Sequence, residues 1–267
     1  MPQIRNLRWW IAALLAAACA LSYLDRQSLP VAVAEIQKSI PMTDEQYSAL
    51  VVLFLVSYGT MYAVGGKILD VVGTRLGYAI MIAWWSAATI VQGLVTSVLG
   101  LGIARFLLGA GEGGGFPASA KAVAEWFPPK ERSLAFGIFN TGSSLGAVVA
   151  PPLIALIIVQ FNWRFVFYFT GGLGIAWLVF WWKLYERPGK HRLITAVERQ
   201  YLQASLVTAP LSSSRNAEAV IPWRNLFRYR QTWGLLVAAF LSNSAWYFFI
   251  FWLPKYLSDA RHLKTSV

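Results

Sequence analysis

The sequence predicts an all-α integral membrane protein, and three observations carry that expectation. Of 267 residues, 57% are hydrophobic and only 13% charged, with 13 Trp and a mean hydropathy of +0.52, whereas a soluble domain carries about 25% charged residues. The apolar residues are gathered into long runs, and residues 46–66, 76–104, 133–163, 165–182 and 231–254 contain no Asp, Glu, Lys or Arg. About 20 such residues cross a hydrocarbon core as a helix, while the strands of a membrane barrel would alternate in pattern over about 10 residues.

Seven membrane helices follow in order. The first, 9–34, is too long for a signal-peptide core and lacks a convincing cleavage site, so it is kept as a mature span. The second is 47–69. The charge-free run 76–104 is too long for one helix and divides near Thr96-Ser97, giving a third span at 76–95 and a fourth at 98–124 that carries Arg105, Glu112 and Lys121. The fifth is 133–159, the sixth 164–184 and the seventh 232–257. Pro117, Pro151 and Pro152 mark places where a helix kinks or breaks, tolerated where neighbours satisfy the freed backbone groups. The expected organisation is a six-helix domain over 1–184, a cytoplasmic linker over 185–231 with a short surface helix near 195–205 and a Ser-rich stretch at Ser212-Ser213-Ser214, the seventh helix, and a tail over 258–267. Six spans form one block and the seventh begins another, whose remainder is expected to be missing from a truncated or split chain.

Lys and Arg alternate by side. Arg5, Arg8, Lys67, Arg75, Lys130, Arg132 and the arginines of the linker fall on one side, so the N-terminus is expected in the cytoplasm of a multi-pass inner-membrane protein. That bias accounts for the net charge of +11, which is therefore no signal for nucleic acid. The single Cys19 excludes an intramolecular disulfide and a Cys-based zinc cluster, and His191 and His262 lie outside the spans without forming a metal constellation. No metal or cofactor is expected. Nor is an enzyme, because no nucleophile–base pair is apparent and the glycines at 109–115 lack the preceding strand and spacing of a nucleotide loop.

Charges inside the spans are the candidates for function. Asp25 and Arg26 are adjacent within the first span, where each costs a few kcal/mol at mid-depth and persists mainly where it lines a cavity, binds a charged substrate or relays protons. Arg105 and Glu112 lie about two turns apart on nearly one helix face. A guanidinium offers a planar donor fork that matches a carboxylate, and the two acids are each able to carry a proton. The plainer alternative is that these four charges neutralise one another to hold helices in register. Tyr23 and Tyr58 are either hydroxyl donors to a polyhydroxylated ligand or core aromatics, and Asn140, Ser143 and Ser144 bond either sugar hydroxyls or neighbouring helices. Trp84, Trp85, Trp181 and Trp182 read as interface or lipid-facing aromatics.

Between the second and third spans, Gly66-x-x-x-Asp70-x-x-Gly73-x-Arg75 resembles the loop signature of the major facilitator superfamily, and Arg105-x-x-x-Gly109 resembles its fourth-helix motif. More narrowly, Tyr23-Leu24-Asp25-Arg26, Glu125-Trp126-Phe127-Pro128 leading to Glu131-Arg132, and Phe139-Asn140-x-Gly142-Ser143-Ser144-x-Gly146 followed by Ala150-Pro151-Pro152 resemble the anion:cation symporter family, and within it the bacterial hexuronate and sugar-acid transporters. The resemblance covers 7–257. It implies a six-helix bundle of 3+3 inverted repeats, normally one half of a twelve-helix transporter working by alternating access. It implies proton-coupled import of a hexuronate or related sugar-acid anion, with protons on Asp25 and Glu112 and substrate held by Arg26 and Arg105. The loop signature is expected to act as a latch, Gly66 and Gly73 letting helix ends approach closely while Asp70 and Arg75 bond helix termini or loop partners. Some sugar-acid transporters of this family carry a longer amide where Ser143 stands, which leaves the sugar open. The implied partners are a sugar-acid anion, a proton, the lipid bilayer and the absent C-terminal half. The competing expectations are a transporter of another organic anion and a non-transporting membrane fragment or partner subunit.

Overall fold

The computed structural model describes residues 3–207, 225 and 227–261. Its helices are α1 Leu7–Ser39, α2 Asp44–Val72, α3 Thr74–Leu94, α4 Val98–Glu112, α5 Gly115–Trp126, α6 Pro129–Gln160, α7 Trp163–Leu184, α8 Ala196–Val207, α9 Arg230–Phe251 and α10 Leu253–Arg261. Local sequence sets several starts. Thr43 and Gln46 form a reciprocal capping box at α2, Ser97 caps α4 through the Gly100 amide, and Asn162 caps α7 through the amides of Arg164 and Phe165. Pro128 precedes α6 and Pro129 opens it, where a missing N–H costs nothing.

Six of these helices, α1, α2, α3, α6, α7 and α9, are each long and apolar enough to cross a membrane. The fourth crossing differs from the sequence expectation of one helix over 98–124: it is made by α4 and α5 in series, 15 and 12 residues long, joined at Gly113-Gly114. Four glycines within 111–115 explain the break, since glycine is a poor helix former. Close packing explains why glycine stands there: a Cβ on Gly113 would strike the Tyr58 carbonyl of α2 and lie 2.9 Å from Met61 Cβ. The seventh helix also ends earlier than expected, at Phe251, and Trp252 turns the chain into α10. Conversely, α1 runs unbroken past Pro30 and α6 past Pro151 and Pro152.

The packing has an internal two-fold relation. Taking α4 and α5 together as the fourth crossing, the main contacts join crossing 1 to 5 (α1 with α6), crossing 2 to 4 (α2 with α4) and crossing 3 to 6 (α3 with α7). Exchanging crossings 1, 2 and 3 for 4, 5 and 6 turns the first pairing into the second and leaves the third unchanged, as 3+3 repeats require. Two of these contacts are made backbone to backbone at glycine pairs four residues apart. Gly109 of α4 and Gly113 just beyond its end lie on α2, while Gly142 and Gly146 of α6 lie against the Ala16 and Ala20 carbonyls of α1.

Apolar side chains cover the outside, with Leu99, Val148 and Phe180 all more than half exposed, as lipid-facing helices require. The tryptophans divide instead of sharing one role. Trp84 and Trp182 are exposed, but Trp85 and Trp181 are buried, Trp181 donating its indole N–H to the Arg75 carbonyl and stacking on Tyr185. At the end of the bundle holding the start of α1, Glu198 of α8 accepts from the Leu7 and Arg8 amides at 2.9 and 3.2 Å and pairs with the Arg8 guanidinium, which also reaches Glu131 of α6. At the opposite end, Tyr47 donates to the Phe251 carbonyl at 2.6 Å and Lys255 pairs with Asp44 at 2.8 Å, tying α9 and α10 to α2. The Ser-rich stretch Ser212-Ser213-Ser214, His262 and the final residues of the expected tail lie outside the described residues.

Candidate functional site

A cavity of about 110 Å³ lies inside the bundle, walled by Ser22, Tyr23 and Arg26 of α1, Tyr58 of α2, Glu112 of α4, and Asn140 and Ser143 of α6. It adjoins a wider cleft of about 870 Å³ that shares Tyr23, Arg26, Tyr58 and Ser143 and is faced by Asn243 and Trp246 of α9. Six of the sequence-predicted site residues therefore meet on one wall: Tyr23, Arg26, Tyr58, Glu112, Asn140 and Ser143.

Arg26 is the centre of this wall. Its Nε lies 2.6 Å from Glu112 Oε2, and the guanidinium carbon sits over the rings of Tyr58, Tyr23 and Phe54 at 4.4, 4.9 and 5.8 Å. Aromatic faces stabilise a desolvated cation, each by about 0.5–2 kcal/mol. Nη1 and Nη2 have no hydrogen-bond partner among the described residues, so a two-pronged donor is presented where an anion can reach it. Glu112 uses only one oxygen: Oε2 accepts from Arg26 and, at 3.0 Å, from Ser22, while Oε1 is buried without a partner. That free oxygen is able to take a proton while the other keeps its two bonds. Ser143 donates to the Asn140 carbonyl at 2.7 Å and Asn140 Nδ2 to the Phe136 carbonyl at 3.0 Å, so both side chains are partly engaged with their own helix.

Asp25 and Arg105 are placed differently. Both are about 1% exposed, neither lines the cavity or the cleft, and no atom of either charged group has a hydrogen-bond partner among the described residues. The buried pair that forms is thus Arg26 with Glu112, across two helices, and not Arg105 with Glu112 along one face. Arg105 is two turns from Glu112 along α4 and is buried without lining the cavity, with Tyr47, Glu112 and Asp25 the ionisable groups that act on it.

The loop signature lies at the far end of α2 from Tyr47. Gly73 takes φ +84, a left-handed conformation that ends α2 and starts α3 in one residue and that side chains rarely adopt. Gly66 does not serve close approach, since a Cβ there would meet nothing within 4 Å; the tight contact is at its neighbour Gly65, 3.1 Å from Gly114 Cα, and at Gly77 against Leu69. Asp70 pairs with Lys121 of α5, which also donates to the Leu69 carbonyl at 3.0 Å. Arg75 pairs with Glu186 and donates to the Trp182 carbonyl in the last turn of α7 at 2.7 Å. Glu125, from the Glu125-Trp126-Phe127-Pro128 motif, joins the same region by accepting from Thr74 at 2.6 Å and Tyr185 at 2.8 Å. Sequence reasoning missed Lys121 and Glu186 as the partners of the signature. Their only signal was opposite charge at the ends of neighbouring spans.

The family model described as Major Facilitator Superfamily matches residues 15–267. The chain is 34% identical over 260 residues to a galacturonate transporter of Dickeya chrysanthemi, an alignment covering 97% of this chain and 74% of that one. It is 35% identical over 257 residues to a hexuronate transporter of Escherichia coli strain K12, covering 96% of this chain and 59% of the relative. Its fold is similar to the crystal structure of a bacterial homologue of the human lysosomal transporter Spinster in an inward-facing, unoccupied conformation, with a TM-score of 0.76, 19% identity, 98% of this chain covered and 58% of that chain. Against the E. coli relative and the Spinster homologue, the chain therefore spans a little under three fifths of their length.

Proposed function

The chain belongs to the major facilitator superfamily, and from that premise we propose that it serves proton-coupled import of a hexuronate or related sugar-acid anion by alternating access. The observation that carries the reading is Arg26, whose free guanidinium fork faces the cavity from an aromatic surround while its Nε is held by Glu112. The substrate carboxylate docks on that fork. The hydroxyls of Tyr23, Tyr58 and Ser143 and the Asn140 amide border the same space and bond the sugar hydroxyls.

Proton binding follows from competition for Arg26. A charged Glu112 and a charged substrate both seek the same cation, so protonation of Glu112 releases the guanidinium to the anion. Asp25 carries a second proton out of contact with substrate, and Arg105 offsets charge beside it. In this reading Arg105 acts on substrate only after a change of conformation that exposes its guanidinium to the cavity. The Asp70–Lys121 and Arg75–Glu186 pairs hold one end of the bundle and part when that end opens.

The test is uptake of labelled galacturonate and glucuronate into proteoliposomes holding this chain, with and without an inward proton gradient, beside the E. coli hexuronate transporter as a control. Gradient-stimulated accumulation is expected. Uptake indifferent to the gradient would remove proton coupling. Neither binding nor uptake, with the control active in the same lipid, would favour a non-transporting membrane unit.

A further inference from the structure

Serine and threonine hydroxyls within a helix commonly bond back to a carbonyl three or four residues earlier. Ser28, Ser57, Thr60, Thr141, Ser143 and Ser244 all do so. Thr89 of α3 and Thr170 of α7 do not: both are buried, and neither hydroxyl has a hydrogen-bond partner among the described residues. Both bear instead on the carboxyl of Asp25, whose two oxygens are likewise unpartnered. The helices can close around that carboxyl because α7 presents glycine to α3, where a Cβ on Gly171 would lie 2.8 Å from the Ser86 carbonyl and one on Gly174 would strike the Ser86 hydroxyl.

Three buried polar groups on α1, α3 and α7 are costly left without partners, and a carboxylate among them offers the threonine hydroxyls an acceptor. Glu112 and Arg105 of α4 are the charged groups that act on Asp25. Residues 76–94, 133–160 and 165–182, within α3, α6 and α7, contribute no Asp, Glu, Lys or Arg.

We propose that Thr89 and Thr170 are positioning residues for proton binding at Asp25. Both hydroxyls donate to the carboxylate when it is charged. When it is protonated, the new carboxyl O–H donates to one threonine oxygen, so the proton is held without either hydroxyl ionising. The inference rests on the reading of Asp25 as a proton site, and it adds what sets the affinity of that site.

The measurement is infrared difference spectroscopy of the full chain in lipid nanodiscs across a pH series. The carbonyl stretch of protonated Asp25 is assigned by its loss in Asp25→Asn. Thr89→Val and Thr170→Val should each move half-protonation upward by about one pH unit, a tenfold tighter hold on the proton, because each removes one donor to the charged form. Thr89→Ser and Thr170→Ser should titrate as the unaltered chain does. Valine variants that titrate unchanged while melting at lower temperature would reduce both threonines to packing and overturn the proposal. If the valine variants do not fold, the unaltered chain still decides: an Asp25 stretch at the frequency of a carboxyl without hydrogen bonds would overturn it, and one at a hydrogen-bonded frequency supports it. An Asp25 that never protonates would instead remove the proton site itself, which separates failure of the functional reading from failure of the threonine assignment.

Discussion

Glu112→Gln separates the substrate role proposed for Arg26 from the proton role proposed for its partner. Glutamine has nearly the same shape and keeps an oxygen able to accept from Arg26 Nε and Ser22, the two bonds made at 2.6 and 3.0 Å. What it loses is the charge. The pair is almost wholly buried, with side chains 6% and 0% exposed, so its charge-assisted bond contributes about 2 kcal/mol beyond a neutral one. In the variant that preference passes to the incoming carboxylate. A change of about 2 kcal/mol corresponds to roughly 30-fold in affinity. The assay is calorimetric titration of galacturonate into nanodisc-embedded protein at an acidic and an alkaline pH. The unaltered chain should bind more weakly at alkaline pH, where Glu112 is charged and competes, while Glu112→Gln should bind about 30-fold tighter than it there and show little pH dependence. Gradient-driven accumulation should be lost in the variant. If Glu112→Gln weakens with rising pH as steeply as the unaltered chain, Glu112 is not the competitor and the argument fails. Thermal melting supplies the control, since removing one partner of a buried pair otherwise costs about 3–5 kcal/mol.

Three further outcomes follow from the structure. Gly73→Ala should lower stability by about 1–2 kcal/mol, read as a lower melting temperature in lipid, because φ +84 is strained for any residue with a Cβ. Glu198→Ala removes the acceptor shared by the Leu7 amide, the Arg8 amide and the Arg8 side chain, and should speed limited trypsin cleavage after Arg192 and Arg199 by tenfold or more, whereas an unchanged rate would show that α8 is held by other contacts. His191 is buried, its Nδ1 accepting from the Leu193 amide at 3.1 Å and its Nε2 lying 3.0 Å from the Leu184 carbonyl, and burial holds its pKa below the usual histidine range. Because the folded form resists the proton that an unfolded histidine takes up below about pH 6.5, attachment of residues 191–207 is at full strength above that pH and weakens as pH falls below it. Hydrogen exchange of this segment should therefore quicken on acidification, and His191→Gln should flatten that response.

How much was readable in the chain depended on which physical force left a local trace. Water-to-lipid transfer leaves one residue by residue, so charge-free runs located the crossings within a few residues. The break at Gly113-Gly114 was written in the sequence as a cluster of glycines, yet glycine in a membrane helix also serves close packing, and both uses occur at this spot. Trp85 and Trp181 were misassigned to the lipid face because a helix surrounded by lipid and protein is apolar all round and shows no stripe marking its inner side. Arg26 and Glu112 were legible as costly charges but not as partners, for 86 positions separate them and only packing of α1 on the fourth crossing joins them. Thr89 and Thr170 were invisible, since a threonine in an apolar run ordinarily satisfies itself.

The seam between α1 and α6 has a mechanical consequence. Where Gly142 and Gly146 meet the Ala16 and Ala20 carbonyls, with only the Cβ atoms of Cys19 and Tyr23 beside them, nothing at these two points can yield by changing rotamer, so the two helices are expected to bend or tilt as one beam. Glu198 grips the α1 end of that beam through two amides and Arg8, and Arg8 in turn holds Glu131 at the start of α6. The linker is thus harnessed to both members at once. A pull on α8 would act on a lever whose far arm carries Tyr23, Asp25 and Arg26, all on the one continuous helix α1.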